Sequence, residues 1–262
     1  VLNLPEDFDS SKRYPLVVLV HGGPTWTALA AMITSSYYPV EQLVSKGVLV
    51  LEPNYRGSEG HGRDFRKLNY RNLGIGDYED VVSGVDRLIE KGFVDKDLVG
   101  VMGWSQGGYI SAFCATYGNR FKAASVGAGI SNWMTYHVNT DIHEFCHRYL
   151  GNNPWEDPQI YEQTSPMTYI KNASTPTLIQ HGGSDTRVPP PNAFELYQGL
   201  REMGVPVRLV IYKGMGHGAD KPGIHRAIMR QNLAWFSHYL LDELLEEELM
   251  LKQSEIEKTE EK

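Results

Sequence analysis

The sequence predicts an α/β fold built on one mostly parallel β-sheet with helices on both faces. Three observations carry that prediction. Short β-branched runs alternate with helical patterns from one end of the chain to the other, as strands joined by crossover helices do. Most of the strand runs are continuously apolar, the pattern of strands covered on both sides. With 262 residues, 41% hydrophobic and 11% aromatic, the chain has the apolar material for one large core and is no disordered polymer.

Taken in order, strands are expected in "PLVVLVHGG" from Pro15, "GVLVLEPNYR" from Gly47, "LVGVMGWS" from Leu98, "AASVGAG" from Ala123, "TPTLIQHGG" from Thr175 and "VPVRLVIYKG" from Val205. Between and after them, three apolar stripes recur at helical spacing. They are Val81, Val82, Val85, Leu88 and Ile89; then Phe194, Tyr197, Leu200 and Met203; then Leu233, Trp235, Phe236, Tyr239 and Leu240. Each reads as a core face. Residues 131–165 break the alternation: rich in Trp, Tyr, His, Asn and Pro, they are too long for a plain connection and read as a lid or pocket insertion within a body spanning 1–241. Residues 242–262 read as a charged helical extension with 9 acids against 3 lysines. Its leucines have two readings, a seam between copies of the chain in a homo-oligomer or one side of a solvated helix.

Outside that extension the body carries 23 acids and 22 bases with no basic patch, which removes nucleic acid from the expected partners. No apolar run approaches the roughly 18 residues that a membrane helix needs, so no membrane partner is expected, and no signal segment opens the chain. Cys114 and Cys146 are too few for a disulfide framework, and Cys114 falls in an apolar helical stretch that suits a buried free thiol. These features favour a reducing, cytoplasmic compartment. The chain begins at Val1 and not at methionine, which leaves an upstream segment open.

The chemistry is concentrated in "GWSQGG", where Gly103, Ser105 and Gly107 give G-x-S-x-G between a predicted strand and a predicted helix. A sharp strand-to-helix turn holds such a serine exposed and strained, and small flanking residues let the two elements approach. A serine hydroxyl is a weak nucleophile until a base takes its proton, and that base needs an acid to orient it. Asp185 in "HGGSDTRVP" and His217 in "KGMGHG" follow late strands in the order Ser, Asp, His that an α/β-hydrolase uses. The backbone N–H of Gln106, at a helix N-terminus, is one expected donor to an oxyanion; Gly23, in the glycine loop "HGGP", is the other. No metal or organic cofactor is required by this chemistry. Arg56 in "NYRGS" is expected to brace its loop by a salt bridge, and Arg187 either pairs with a carboxylate or holds its own loop.

A second motif competes. "HEFCH", from His143 to His147, satisfies H-E-x-x-H, in which two imidazoles one helical turn apart bind zinc and the glutamate serves as base. That reading needs a third ligand, for which Glu162 or Asp157 are the candidates in sequence.

The residues "HGGP" at His21, "NYRGS" at Asn54, "GWSQGGY" at Gly103, "RYLG" at Arg148, "SP" at Ser165, "HGGSDTRVP" at His181 and "GHG" at Gly216 together resemble the catalytic domain of the prolyl oligopeptidase family, particularly its acylaminoacyl-peptidase and dipeptidyl-peptidase branches. The resemblance implies an α/β-hydrolase fold, a Ser105, Asp185 and His217 triad, and an oxyanion hole at Gly23 and Gln106. It also implies an apolar P1 pocket at Ile130, Trp133, Tyr136 and Val188, beside which the "HEFCH" stretch would be a wall helix. Family peptidases usually carry an N-terminal β-propeller, and nothing in these 262 residues reads as one, which leaves a trimmed catalytic domain or a stand-alone member. The expected activity is cleavage of short peptides through an acyl-enzyme. A carboxylesterase acting on small esters is the alternative, and a hydrolase-fold binding protein without catalysis is a third reading.

Overall fold

Seven strands are present among the described residues: β1 (Leu2–Asn3), β2 (Tyr14–Val20), β3 (Leu49–Leu51), β4 (Val94–Trp104), β5 (Ala123–Gly127), β6 (Thr177–Gly182) and β7 (Val207–Tyr212). Nine α-helices accompany them: α1 (Val40–Ser45), α2 (Arg63–Lys67), α3 (Ile75–Glu90), α4 (Gln106–Tyr117), α5 (Trp133–Asn139), α6 (Glu144–Leu150), α7 (Pro158–Gln163), α8 (Pro191–Glu202) and α9 (Pro222–Leu241). The computed structural model describes residues 1–30 and 37–244. The extension expected over 242–262 lies, from residue 245 onward, outside the described residues.

The strands form one sheet in the order β1-β3-β2-β4-β5-β6-β7, parallel throughout except for β1, which runs antiparallel to β3 at the edge. All six expected strands are present. β1 has no counterpart in the sequence reading, because two residues are too short to show a period.

The apolar runs act as the parallel-sheet argument requires. Along β2, Leu16, Val18 and Val20 enter one core cluster with α3 and α4, while Val17 and Leu19 enter another with α1 and α9. Each face of the strand is covered, and side chains alternate between the two cores. On α3, Val81, Val85 and Leu88 are buried as expected, and on α9 so are Trp235, Phe236 and Leu240. On α8 the buried stripe is Ala193, Leu196 and Leu200, whereas Phe194 and Met203 are exposed. The helix is therefore rotated relative to the expected stripe. Gly199 explains part of this: a Cβ there would stand 2.8 Å from the methyl of Met167, so the small residue faces a close neighbour and the bulky ones face out.

Residues 131–165 fold into α5, α6 and α7. They are anchored and do not form a detached flap, because Trp133, Tyr136, Cys146, Leu150, Ile160 and Tyr161 are all buried in the main core cluster. The parallel topology brings the C-terminal ends of β2, β4, β6 and β7 to one edge of the sheet, where an open α/β fold holds its ligands.

Candidate active site

The turn after β4 holds Ser105. Its backbone lies at φ 61°, ψ −121°, a region that non-glycine residues rarely occupy. Two bonds pin it there: Ser105 N–H donates to Gly127 O (2.9 Å) and Tyr109 N–H donates to Ser105 O (2.9 Å). The flanking glycines are required by close approach. A Cβ on Gly103 would stand 2.6 Å from Val20 O, and one on Gly107 would stand 2.9 Å from the Val20 carbonyl carbon. β2, β4 and the start of α4 thus pack backbone to backbone, and the serine is raised above them.

Ser105, Asp185 and His217, more than thirty residues apart from one another in sequence, converge. His217 Nδ1 is 2.8 Å from Asp185 Oδ2, and His217 Nε2 is 2.9 Å from Ser105 Oγ. An ionised carboxylate only accepts, so Nδ1 carries the proton and Nε2 presents its lone pair to the serine hydroxyl, which donates. The Asp185 side chain is wholly buried, and its other oxygen, Oδ1, accepts from the N–H groups of Arg187 and Val188, each at 2.9 Å. The carboxylate is therefore fixed from both ends. The His217 carbonyl accepts from Trp104 Nε1 at 2.8 Å, which ties the histidine loop to the strand that carries the serine. Trp104 escaped the sequence reading; its position one residue before Ser105 is the only signal of it.

Gln106 opens α4, and its backbone N–H belongs to the first helical turn, where no acceptor exists four residues back. The glycine loop after β2 lies against the serine, since a Cβ on Gly22 would stand 3.5 Å from Ser105 Cβ. His21 holds this loop: Nδ1 is 2.8 Å from Gly22 O, Nε2 is 2.9 Å from Ser58 Oγ, and the ring stacks on Tyr55 at 4.4 Å. Burial pushes the His21 pKa below its ordinary value, and the bond to the Gly22 carbonyl opposes that shift. A cleft of about 610 Å³ opens over Ser105, bounded by Gly22, Gly23, Trp26, Tyr37 and His225 among others.

Ile130, Trp133, Tyr136 and Val188, which the family resemblance implies as an apolar pocket, belong to one core cluster. Each is at most 2% exposed and packs in the main core, and none of them bounds this cleft. The Trp133 indole is drawn inward by its bond to Thr164 O (3.1 Å), and its backbone N–H by Ser165 Oγ (2.9 Å). Arg56 braces its loop as expected, with Nε and Nη2 each 2.8 Å from the two oxygens of Asp80. For Arg187 the structure settles on a carboxylate: Nε lies 2.8 Å from Asp141 Oδ1. In "HEFCH", His143 and His147 lie one turn apart at the start of α6, and the third group beside them is His137 of α5. Asp157 instead caps α7 and pairs with Arg71 at 2.7 Å, and Glu162 stands outside the cluster.

The fold as a whole recurs in proteins of known family. A model of the prolyl oligopeptidase family matches residues 35–243. The chain belongs to the prolyl oligopeptidase family. Among family members it is 34% identical over 242 residues to the uncharacterized peptidase YuxL of Bacillus subtilis, covering 90% of this chain and 36% of that protein. It is 34% identical over 226 residues to acylamino-acid-releasing enzyme 1 of Oryza sativa, covering 82% of this chain and 28% of that one. The solved acylaminoacyl peptidase of Pyrococcus horikoshii superposes with a TM-score of 0.81 at 29% identity, covering 91% of this chain and 38% of that one. The chain spans about a third of the length of the curated family members it matches. The α/β-hydrolase fold expected from the sequence is the fold it shares with these structures.

Proposed function

We propose that the chain is the hydrolytic unit of a serine peptidase that cleaves short peptides. The observation that carries the reading is the continuous line of short bonds from Asp185 through His217 to Ser105 at the floor of one open cleft. Ser105 Oγ attacks the acyl carbonyl while His217 Nε2 takes its proton, and Asp185 holds the imidazole in the tautomer that can do so. The N–H groups of Gly23 and Gln106 receive the negative charge that develops on the carbonyl oxygen. His217 then returns the proton to the leaving amine, and the same histidine activates water to release the acid from Ser105. The names of the relatives support a peptide substrate over an ester: two are peptidases, and the third releases acylated amino acids.

The test is hydrolysis of matched peptidyl-anilide and aryl-ester substrates by wild type and Ser105→Ala. The anilide is cleaved by wild type, and Ser105→Ala lowers kcat by about 10⁴-fold or more with the fold intact. Cleavage of esters alone would move the chain to the esterase reading, and near-full activity in Ser105→Ala would remove the serine mechanism altogether.

A further inference from the structure

Outside the cleft, three imidazoles converge where α5 meets α6. One ring nitrogen of each of His137, His143 and His147 lies within 4.8 Å of the other two. His143 and His147 are four residues apart and share a face, while His137 reaches them from the preceding helix, with ring centroids 4.2 Å from His143 and 5.8 Å from His147. Three basic rings gathered without a carboxylate form no ion-pair network. What they share is a lone pair each.

The hydrogen bonds around them fix which lone pairs are free. Tyr161 spends its one hydroxyl proton on Asn152 O at 2.8 Å, so it meets His137 Nδ1, 3.4 Å away, as an acceptor. Nδ1 of His137 is thus the protonated nitrogen. That leaves its Nε2 as a bare lone pair in a residue only 1% exposed, and this atom has no partner. His143 repeats the pattern, donating from Nδ1 to the His137 carbonyl at 3.1 Å and keeping Nε2 as its lone pair. A ring N–H given to a carbonyl or hydroxyl, with the other nitrogen turned to a shared point, is how metal-binding histidines are oriented.

We propose that His137, His143 and His147 bind one divalent transition-metal ion of the zinc class, with a fourth position open to solvent. Imidazole is a donor that such ions favour over magnesium or calcium. With nitrogen–metal bonds of about 2.0–2.1 Å, two ligands stand at most about 4.2 Å apart, so small side-chain rotations close the cluster on an ion. His143 is exposed and His147 half-buried, which gives the ion its way in. The site ties α5 to α6 on either side of Asp141, whose N–H donates to Thr186 O (3.0 Å) and whose carboxylate holds Arg187, so an ion here braces the loop that carries Asp185.

The test is titration of the chelator-treated chain with Zn²⁺ by calorimetry and with Co²⁺ by visible absorption, each in wild type, His143→Gln, His147→Gln and His217→Ala. Wild type and His217→Ala saturate at one equivalent, Co²⁺ gives the intense visible bands of a low-coordinate nitrogen site, and Zn²⁺ raises Tm. His143→Gln and His147→Gln, at exposed or half-exposed positions where folding is safe, weaken Zn²⁺ binding about tenfold or more and lose the Tm rise. No saturable binding in wild type, or affinity unchanged in both glutamine variants, or binding abolished by His217→Ala alone, would overturn the site.

Discussion

At Ser105 the positive φ is sustained only because backbone from three elements crowds beneath it, and Gly107 is where that crowding is tightest. A Cβ there would run into the Val20 carbonyl, which ends β2, a strand paired on both sides by β3 and β4. Gly107→Ala is therefore expected to destabilise the chain by about 2 kcal/mol or more, since overpacking a rigid backbone contact costs in that range. Because the displaced element carries Ser105, the substitution is also expected to slow labelling of that serine by a fluorophosphonate. Chemical denaturation and a labelling time course read the two effects separately; an unchanged denaturation midpoint would mean that the contact relaxes freely. The same residues account for what was readable without coordinates. Ser105, Asp185 and His217 announce themselves because the turn demands glycines in sequence and the chain order of acid and histidine follows the strand order. His137 does not: its partners lie across the break between two short helices, and nothing in local spacing links it to "HEFCH". Ile130, Trp133, Tyr136 and Val188 are legible as apolar, and their burial in one cluster follows from that, but which of them a substrate would meet depends on packing that no spacing encodes.

At the scale of elements, α3 carries a buried carboxylate at its first turn. Asp77 Oδ2 accepts the Gly74 N–H at 3.0 Å, closing the helix start, while Oδ1 is buried without a partner. Burial, reinforced by the charge of Asp80 and opposed by the Gly74 bond and by Arg56, raises the Asp77 pKa to about 7. The unfolded chain releases this proton near its ordinary value of 3.8. Between those two values the folded protein holds a proton that the unfolded chain has lost, so this group lowers stability progressively as pH rises through the window, with the full cost reached above pH 7. Asp77→Asn keeps an oxygen acceptor for Gly74 and removes the titration. Its advantage over wild type is expected to be small near pH 4 and to grow to the order of a few kcal/mol by pH 8. Urea denaturation across that range checks it, and a pH-independent difference would show that the carboxyl is not protonated in the folded state. Helix α3 itself was plain in sequence from its valine and leucine stripe. α8 lies where its stripe predicts but is rotated: Leu200 is buried as expected, whereas Ala193 and Leu196 take the core positions in place of the bulkier Phe194 and Met203, a choice that hydrophobicity alone does not reveal.

The molecule as a whole offers charge as well as chemistry at its open edge. Glu59 borders both the cleft over Ser105 and a second cavity of about 870 Å³ whose walls include Arg63, Arg66, Lys67 and Arg148. The body of the chain is nearly neutral, so this local gathering of four cations is set against little background field. A peptide lying in the cleft and reaching past Glu59 places its far end among them, and an acidic end is drawn in while a basic end is repelled. These side chains are largely solvent-exposed, which makes the attraction long-ranged and screened by salt over about 10 Å at 0.1 M. The double variant Arg63→Glu/Arg66→Glu is expected to lower kcat/KM for an acid-ended peptide roughly fivefold at low salt, through KM and not kcat, while a short neutral anilide that ends within the cleft keeps its wild-type value. Raising the ionic strength toward 1 M should erase the difference between variant and wild type, because the Debye length then falls to about 3 Å. Equal losses on both substrates would place these arginines in the structure of the cleft wall, and a loss that survives high salt would mean that a direct contact replaces the field.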